Sequence, residues 1–436
     1  MITATIGKIF LEAYNEKFGT NYDAKTFFVE VYYPLFFDSN KYLQWVTNSP
    51  FVQMEKGQKV ETLTPAERKD KLQKFITKVE QCKTPDASIA PGFPASEAKE
   101  FATTSGQVTN IQLPTKLDDI YFAWIGSSLG IGLEGGFSIL FPEKQLLLDL
   151  FDGWQLYRNS LNENNLLKGN QVNTWNGQWL SHRYDNYSYN SEQPMADFAP
   201  FVATKDGMNV KTQSWLRVIV GIAKHFENPK MMGYVYNFGQ MNTTIGFIPF
   251  CLEHIRRPFQ LYRQLFGETE CNRAEKLWNT EKGLRVCCYQ GAIGIAAMKP
   301  QKLQSYIMAD KAPKVKDNDE EQTIQFHTYQ IWLLAMLNNQ ELWDMSLKFA
   351  TALNAYAGSG VKGKTTNSRQ IYEVLKATNK RSFIEALGNI ASDISDINNI
   401  QEVALAVNNM PTDNVPYFLT LVRFHAASLN NNKSTN

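Results

Sequence analysis

The sequence predicts an α+β fold: a mixed α/β N-terminal body with short strands near residues 101–142, followed by an all-helical C-terminal bundle. Three observations predict it. Apolar residues recur at helical spacing through the aromatic-rich start of the chain. Between 101 and 142, short runs rich in Val, Ile, Phe and Tyr are broken by Gly and Ser. Beyond residue 322, each segment carries apolar residues at helical spacing with caps or Pro/Gly stops between segments.

In chain order, Thr3–Phe18 places Ile6, Ile9, Phe10 and Tyr14 on one helical face. Asp23 is positioned to cap a second helix, whose stripe of Phe27, Phe28, Val31 and Tyr32 should stop at Pro34. The aromatic residues that follow, through Gln53, read as core. Thr64-Pro65-Ala66-Glu67 offers a cap, a first-turn proline and a first-turn acid, and Leu72, Phe75, Ile76 and Val79 give that helix its apolar face. Lys83–Ser96, rich in Pro, Ala and Ser, reads as a loop ending a first domain of residues 1–100.

The central body, 101–310, opens with three expected strands, VTNIQL, DIYFAWI and FSILF. Pro142 is then expected in the first turn of a helix from Glu143 to Leu161, faced by Leu146, Leu147, Leu150 and Phe151. Asn186–Lys211 reads as a long polar loop, and Thr212–His225 as a helix with Trp215, Val218, Ile219 and Ile222 on one face. Phe247–Met298 alternates helices with turns. The charged run 311–321 reads as a linker, and 322–436 as the bundle, with helices at Thr323–Leu337, Gln340–Ala357, Ser368–Ala377, Arg381–Asp393, Asn399–Asn408 and Val415–Leu429.

Composition narrows the function classes. A chain of 436 residues, 43% hydrophobic and 20% charged, has the make-up of a soluble globular protein with two or three cores. Its 44 basic and 43 acidic residues nearly cancel, so an anionic partner must be met by local patches. Cys82, Cys251, Cys271, Cys287 and Cys288 form no CxxC pair, which argues against a disulfide framework or a zinc site and for a reducing compartment. The N-terminus lacks the apolar core of a signal peptide, and no apolar run reaches the roughly 20 residues a membrane helix needs. The expectation is a cytoplasmic protein with no membrane partner, no cofactor, no metal and no catalytic residues.

The stretch around which the sequence is organised is Asn173–Asp185, NTWNGQWLSHRYD. Trp175 and Trp179 stand four residues apart among Asn176 and Gln178, with His182 and Arg183 following. Flat rings, amides and a fixed cation are the groups that read a planar polar ligand such as a nucleobase. The alternative is a turn at Asn176-Gly177 with both indoles packed inward.

Several motifs invite chemistry without its setting. Gly130, Gly132 and Gly135 spell GxGxxG, but the last glycine is followed by another strand pattern and not by a helix, which favours a glycine-rich hairpin or a close backbone approach over a dinucleotide site. Gly358–Thr365 spells GxxxxGK[ST], but helical periodicity precedes it where a P-loop requires a strand. The run EHIRRP sets Glu253 and His254 beside Arg256 and Arg257, with Arg263 beyond. It lacks a second ligand or nucleophile and reads as a basic helix end that can meet an anion. His327 reads as a satisfied core histidine.

Between Val361 and Arg381, Lys362, Lys364, Arg369, Lys376, Lys380 and Arg381 stand against the single acid Glu373, a local charge of +5 on an otherwise balanced chain. A helix starting at Ser368 would put Arg369, Lys376 and Lys380 on one face, able to track a phosphate backbone. The alternative is a solvated charged face.

The layout of a mixed body with aromatic and amide-rich loops, then a helical bundle ending in VPYFLTLVRFHAA, resembles the large subunit of CRISPR Cascade-type effector complexes. The resemblance is one of architecture over the whole chain and carries over no site residue. It implies a non-catalytic subunit that helps hold a guide-RNA complex, senses a short motif beside the target in duplex DNA, and supports the displaced strand with its bundle. Guide RNA or target DNA and other protein subunits would be its partners.

Two other classes compete. A restriction-type nuclease needs clustered acids and a lysine on a strand, for which Glu134, Glu143 and Lys144 are the nearest and poorly spaced candidates. A protein-interaction scaffold needs no nucleic acid.

Overall fold

The computed structural model describes residues 2–42, 50–52, 54–81, 116–185, 188–237, 243–278, 291, 293–300, 303, 319–359 and 361–431. The chain divides into two compact units, Met1–Leu252 with Leu284–Ile293, and Glu253–Gly283 with Gly294–Asn436. The fold is mixed α+β with a helical C-terminal region, as the sequence predicts. The expected loop 83–96, the strand VTNIQL and the linker residues 311–318 lie outside the described residues.

In the first unit, α1 (Ile2–Phe18) is followed by α2 (Ala24–Phe27), capped by Asp23, whose Oδ1 accepts the Thr26 N–H at 2.7 Å. Pro34 does not stop this helix. The chain widens into a π-turn over Phe28–Tyr32 and runs on as α3 (Tyr33–Phe36), with Pro34 in its first turn. A proline breaks a helix by lacking an N–H and crowding the carbonyl four residues back; a π-turn just before it changes that hydrogen-bond register. α4 (Pro65–Glu80) begins with the expected capping box: Glu67 N–H donates to Thr64 Oγ1 at 3.2 Å and Thr64 N–H to Glu67 Oε2 at 2.7 Å.

The run DIYFAWI, expected as a strand, is the body of α5 (Asp118–Ser128). Ile120, Tyr121, Ala123, Trp124 and Ile125 are all buried, and a run apolar on every side carries no period with which to separate strand from helix. The neglected signal is the acidic first turn, where Asp119 Oδ2 accepts the Lys116 N–H at 2.8 Å. α5 packs along α1 at backbone distance. A Cβ on Gly7 would fall 2.0 Å from the Phe122 carbonyl oxygen, and one on Gly126 1.9 Å from that of Thr3. This contact joins residues on both sides of the division expected near 100, so α1 and α5 share one core and no unit ends there. Phe10, Phe28, Phe37, Phe51, Phe75 and Trp124 fill that core, as expected of the aromatic start.

After α5, β1 (Ile131–Leu133) and β2 (Phe137–Leu140) form an antiparallel hairpin with Ile131 opposite Ile139. The tight turn between them uses positive φ at Gly135 and Gly136, 79° and 75°, so the GxGxxG is a hairpin. α6 (Lys144–Glu163) starts one residue later than expected, which leaves Pro142 outside its first turn. α7 (Val172–Arg183) lies on β1, and β3 (Phe201–Thr204) pairs with β4 (Gly207–Val210) inside the segment expected to be a loop. Its strands are four residues each and only Val210 is buried, so no alternating buried face betrays them. α8 (Trp215–His225) is capped by Ser214. β5 (Met231–Asn237) and β6 (Thr243–Phe250) complete an antiparallel sheet of order β1-β2-β5-β6; Phe247 therefore belongs to a strand and not to a helix or turn.

The second unit holds α9 (Leu252–Phe266), α10 (Glu268–Ala274), α11 (Glu320–Leu337), α12 (Glu341–Ser359), α13 (Lys364–Lys376), α14 (Lys380–Ala391), α15 (Ile397–Asn409) and α16 (Val415–Asn431). The last six match the six expected bundle helices within a few residues. α16 packs on α11 and α12, and α12 also meets α13 and α15, with Phe418, Leu421, Val422 and Phe424 buried along α16.

Candidate nucleic-acid interface

Asn173–Asp185 forms most of the helix α7, and that helix is core. Trp175 is 0% and Trp179 1% exposed. The Trp175 ring stacks with Tyr157 at 5.0 Å and with Phe201 at 5.9 Å, and its Nε1 donates to the Gly153 carbonyl at 2.8 Å. Trp179 Nε1 donates to the Asp149 carbonyl at 2.7 Å. The reading of these indoles as a stacking surface is corrected here, because rings whose faces are covered by protein have none to offer a base. The turn at Asn176-Gly177 is also replaced by helix. Gly177 lets α7 lie flat on β1, since a Cβ there would fall 2.3 Å from the Gly132 carbonyl oxygen.

The amides recognise backbone. Asn176, 0% exposed, donates from Nδ2 to the Ser128 and Gly130 carbonyls at 2.7 and 2.9 Å, and its Oδ1 accepts from Trp154 Nε1 at 3.1 Å. Gln178 donates to the Lys211 carbonyl at 2.8 Å. His182 lies 3.0 Å from the Pro194 carbonyl and stacks on Phe198 at 4.3 Å, and burial pushes its pKa down. Arg183 pairs with Asp149 at 2.7 Å and Asp152 at 3.3 Å. The sequence thus signals the right donors and acceptors, but their partners lie inside the fold.

Arg256 and Arg257 belong to α9, in the second unit. They are half-buried, and the Arg257 Nε is buried without a hydrogen-bond partner among the described residues. The helix end they mark is the N-terminal one: the run opens α9, which continues through Pro258 to Phe266. Arg263 pairs with Glu268 at 2.6 Å. His327 is held as expected, with Nδ1 2.5 Å from Glu270 Oε1 and its ring stacked on Phe266 at 3.7 Å.

The GxxxxGK[ST] run bridges two helices. Gly358 and Ser359 end α12, Gly363 adopts φ 88° as the cap residue of α13, and Lys364 and Thr365 open that helix. Buried Asn367 ties the connection down, donating to the Tyr356 carbonyl at 2.9 Å while its Oδ1 accepts the Lys362 N–H at 3.4 Å. With a helix where the P-loop strand must stand, and with that N–H directed inward, the run is not a nucleotide cradle.

The basic strip is sorted by its partners. Lys362 Nζ pairs with Asp393, which holds its pKa above the usual lysine value. Arg381 pairs with Glu385 at 2.8 Å, one turn along α14. Lys380 also belongs to α14 and not to the same helix as Arg369. Its Nζ donates to the Asn408 and Met410 carbonyls at 2.7 and 3.1 Å, satisfying the C-terminal end of α15. The expected common face of Arg369, Lys376 and Lys380 therefore loses its third member. Lys364, Arg369 and Lys376 remain, all exposed on α13 and with no ion pair among the described residues. Sequence reading missed Tyr372, 59% exposed between Arg369 and Lys376, with the Lys376 Nζ 5.6 Å from its ring centroid. The Arg369, Tyr372, Lys376 spacing of three and four was the available sign.

Among the described residues no group of three or more His, Cys, Asp or Glu could hold a metal ion, and no helix is long and apolar enough to cross a membrane. No protein-family model matches the chain, and comparisons with curated proteins and with solved structures give no match.

Proposed function

We propose that the chain is a nucleic-acid-binding subunit of a multi-protein complex and that α13 is its phosphate-contacting element. The observation that carries the reading is the trio Lys364, Arg369 and Lys376, three exposed cations on one helix with no acidic partner among the described residues, in a chain whose net charge is only +1. Paired cations gain little from a phosphate, because each must first give up its carboxylate; unpaired ones release condensed counterions from the nucleic acid when they bind. The helix beneath them is fixed: Asn367 and Val374 are buried, Tyr356 donates to Gln370 at 2.8 Å, and Arg423 donates to the Leu375 and Ala377 carbonyls at 2.6 and 2.7 Å. The layout resemblance supplies the setting of this proposal, a guide-RNA complex acting on DNA. The experiment is a titration of labelled DNA and RNA at several salt concentrations. Affinity that falls steeply with salt, and less steeply once the trio is replaced by alanine, supports the reading; no binding at low salt overturns it.

A further inference from the structure

We propose that Arg369, Tyr372 and Lys376 form a single-strand subsite, in which Tyr372 stacks on an unpaired base while the two cations hold the flanking phosphates. The inference rests on the nucleic-acid reading above and adds the class of ligand. At 3.6 residues per turn, the three side chains fall within about 60° of one another, with Tyr372 between the cations along the axis. Tyr372 is 59% exposed while most other large rings among the described residues are buried, and its hydroxyl has no hydrogen-bond partner among them. An exposed ring between two cations matches the chemistry of a strand whose bases are accessible: aromatic stacking is available to every base, and arginine or lysine beside it meets the phosphate. Glu373 flanks this face and forms no ion pair with Arg369 or Lys376, so both cations keep their charge for a ligand.

The chemistry selects against a duplex. Paired bases stack on one another inside the helix and present only edges and phosphates, which leaves Tyr372 nothing to stack on. An unpaired strand of DNA or RNA offers both the base face and the phosphates.

The test measures anisotropy with a thymidine oligonucleotide, a uridine oligonucleotide, an abasic strand of equal length and a duplex, for the full chain and for Tyr372→Leu and Tyr372→Phe. Tyr372→Leu is expected to weaken binding to both base-bearing single strands by about 5- to 150-fold with an unchanged salt slope, and to leave the abasic strand and the duplex unaffected. Tyr372→Phe keeps the ring and should bind like the parent. A larger loss on uridine than on thymidine assigns the subsite to RNA, and the reverse to DNA; both support it. An unchanged affinity of Tyr372→Leu for base-bearing strands, or an equal loss on the abasic strand, overturns it. If the alanine trio flattens the salt slope while Tyr372→Leu changes nothing, the subsite alone falls. If the parent chain binds no strand, the nucleic-acid reading falls and the subsite with it.

Discussion

The Arg183 guanidinium lies 2.7 Å from Asp149 Oδ1, and this contact turns a candidate ligand-binding cation into part of the core. Asp149 is 1% exposed; its Oδ2 accepts from the Tyr184 hydroxyl at 2.8 Å and its Oδ1 from Gln145 Nε2 at 3.0 Å. One carboxylate on α6 thus fixes two consecutive residues at the end of α7. Asp149→Ala leaves a half-buried guanidinium without its closest partner, and should cost about 3–5 kcal/mol in urea unfolding. A loss below about 1 kcal/mol would show that Asp152 suffices to hold Arg183.

Trp179→Ala removes a fully covered indole and the hydrogen bond to the Asp149 carbonyl. The expected cost is about 3–5 kcal/mol of stability. Any fall in nucleic-acid affinity should track the fraction unfolded, which circular dichroism measured alongside the binding titration will report. Selective loss of binding in a fully folded variant would return the indole to the surface.

Glycine positions give a paired test. Gly7→Ala puts a Cβ 2.0 Å from the Phe122 carbonyl oxygen and must push α1 off α5, at roughly 1–3 kcal/mol or more. Gly388→Ala, in the exposed middle of α14 with nothing within 4 Å of the new carbon, should stabilise by about 0.4–1 kcal/mol. Thermal melts of the two variants should move in opposite directions.

The three unpaired cations should each contribute about 0.9 to the slope of log affinity against log salt on duplex DNA and about 0.7 on single strands. Lys364→Ala, Arg369→Ala and Lys376→Ala combined should therefore flatten the slope by roughly 2 to 3 units, with little change in base preference. Lys362→Ala and Lys380→Ala should instead lower stability, since both side chains already serve Asp393 and the end of α15. A slope that responds equally to all five would show that internal pairing does not decide which cations meet phosphate.

His425, 4% exposed with no hydrogen-bond partner for its Nε2 among the described residues, sits edge-on to Trp343 at 4.7 Å, and burial pushes its pKa down to about 4. The unfolded chain takes up this proton near the ordinary histidine value of about 6.5, whereas the folded chain resists it. Its contribution to stability is therefore complete above about 6.5 and is lost as pH falls towards 4, by at most about 1.4 kcal/mol per pH unit. Urea midpoints of His425→Phe should depend less on pH than those of the parent between 7 and 5. Parallel pH profiles would mean that the imidazole is protonated within the fold.

Where neighbours along the chain set the outcome, the sequence by itself was enough. The Thr64 to Glu67 capping box, the Asp23 cap, the hairpin in place of a dinucleotide loop and the six bundle helices all rest on contacts within a few residues, or on a repeating apolar face. The density of charge on residues 361–381 was equally legible. Tertiary structure alone decided what those residues face. Beyond its acidic first turn DIYFAWI is apolar on every side, so its period does not separate helix from strand, and its packing on α1 is a matter of tertiary structure. The π-turn ahead of Pro34 and the short, largely unburied hairpin β3–β4 leave no periodic trace. Trp175, Asn176 and Arg183 carry the same rings, amides and charge whether their partners are a ligand or the residues of α5, α6 and β3, and those partners are distant in sequence. Lys362 and Lys380 differ from Lys364 and Lys376 only because Asp393, Asn408 and Met410 fold back to meet them. Side-chain chemistry is local, whereas burial and pairing depend on residues the chain brings back from far away.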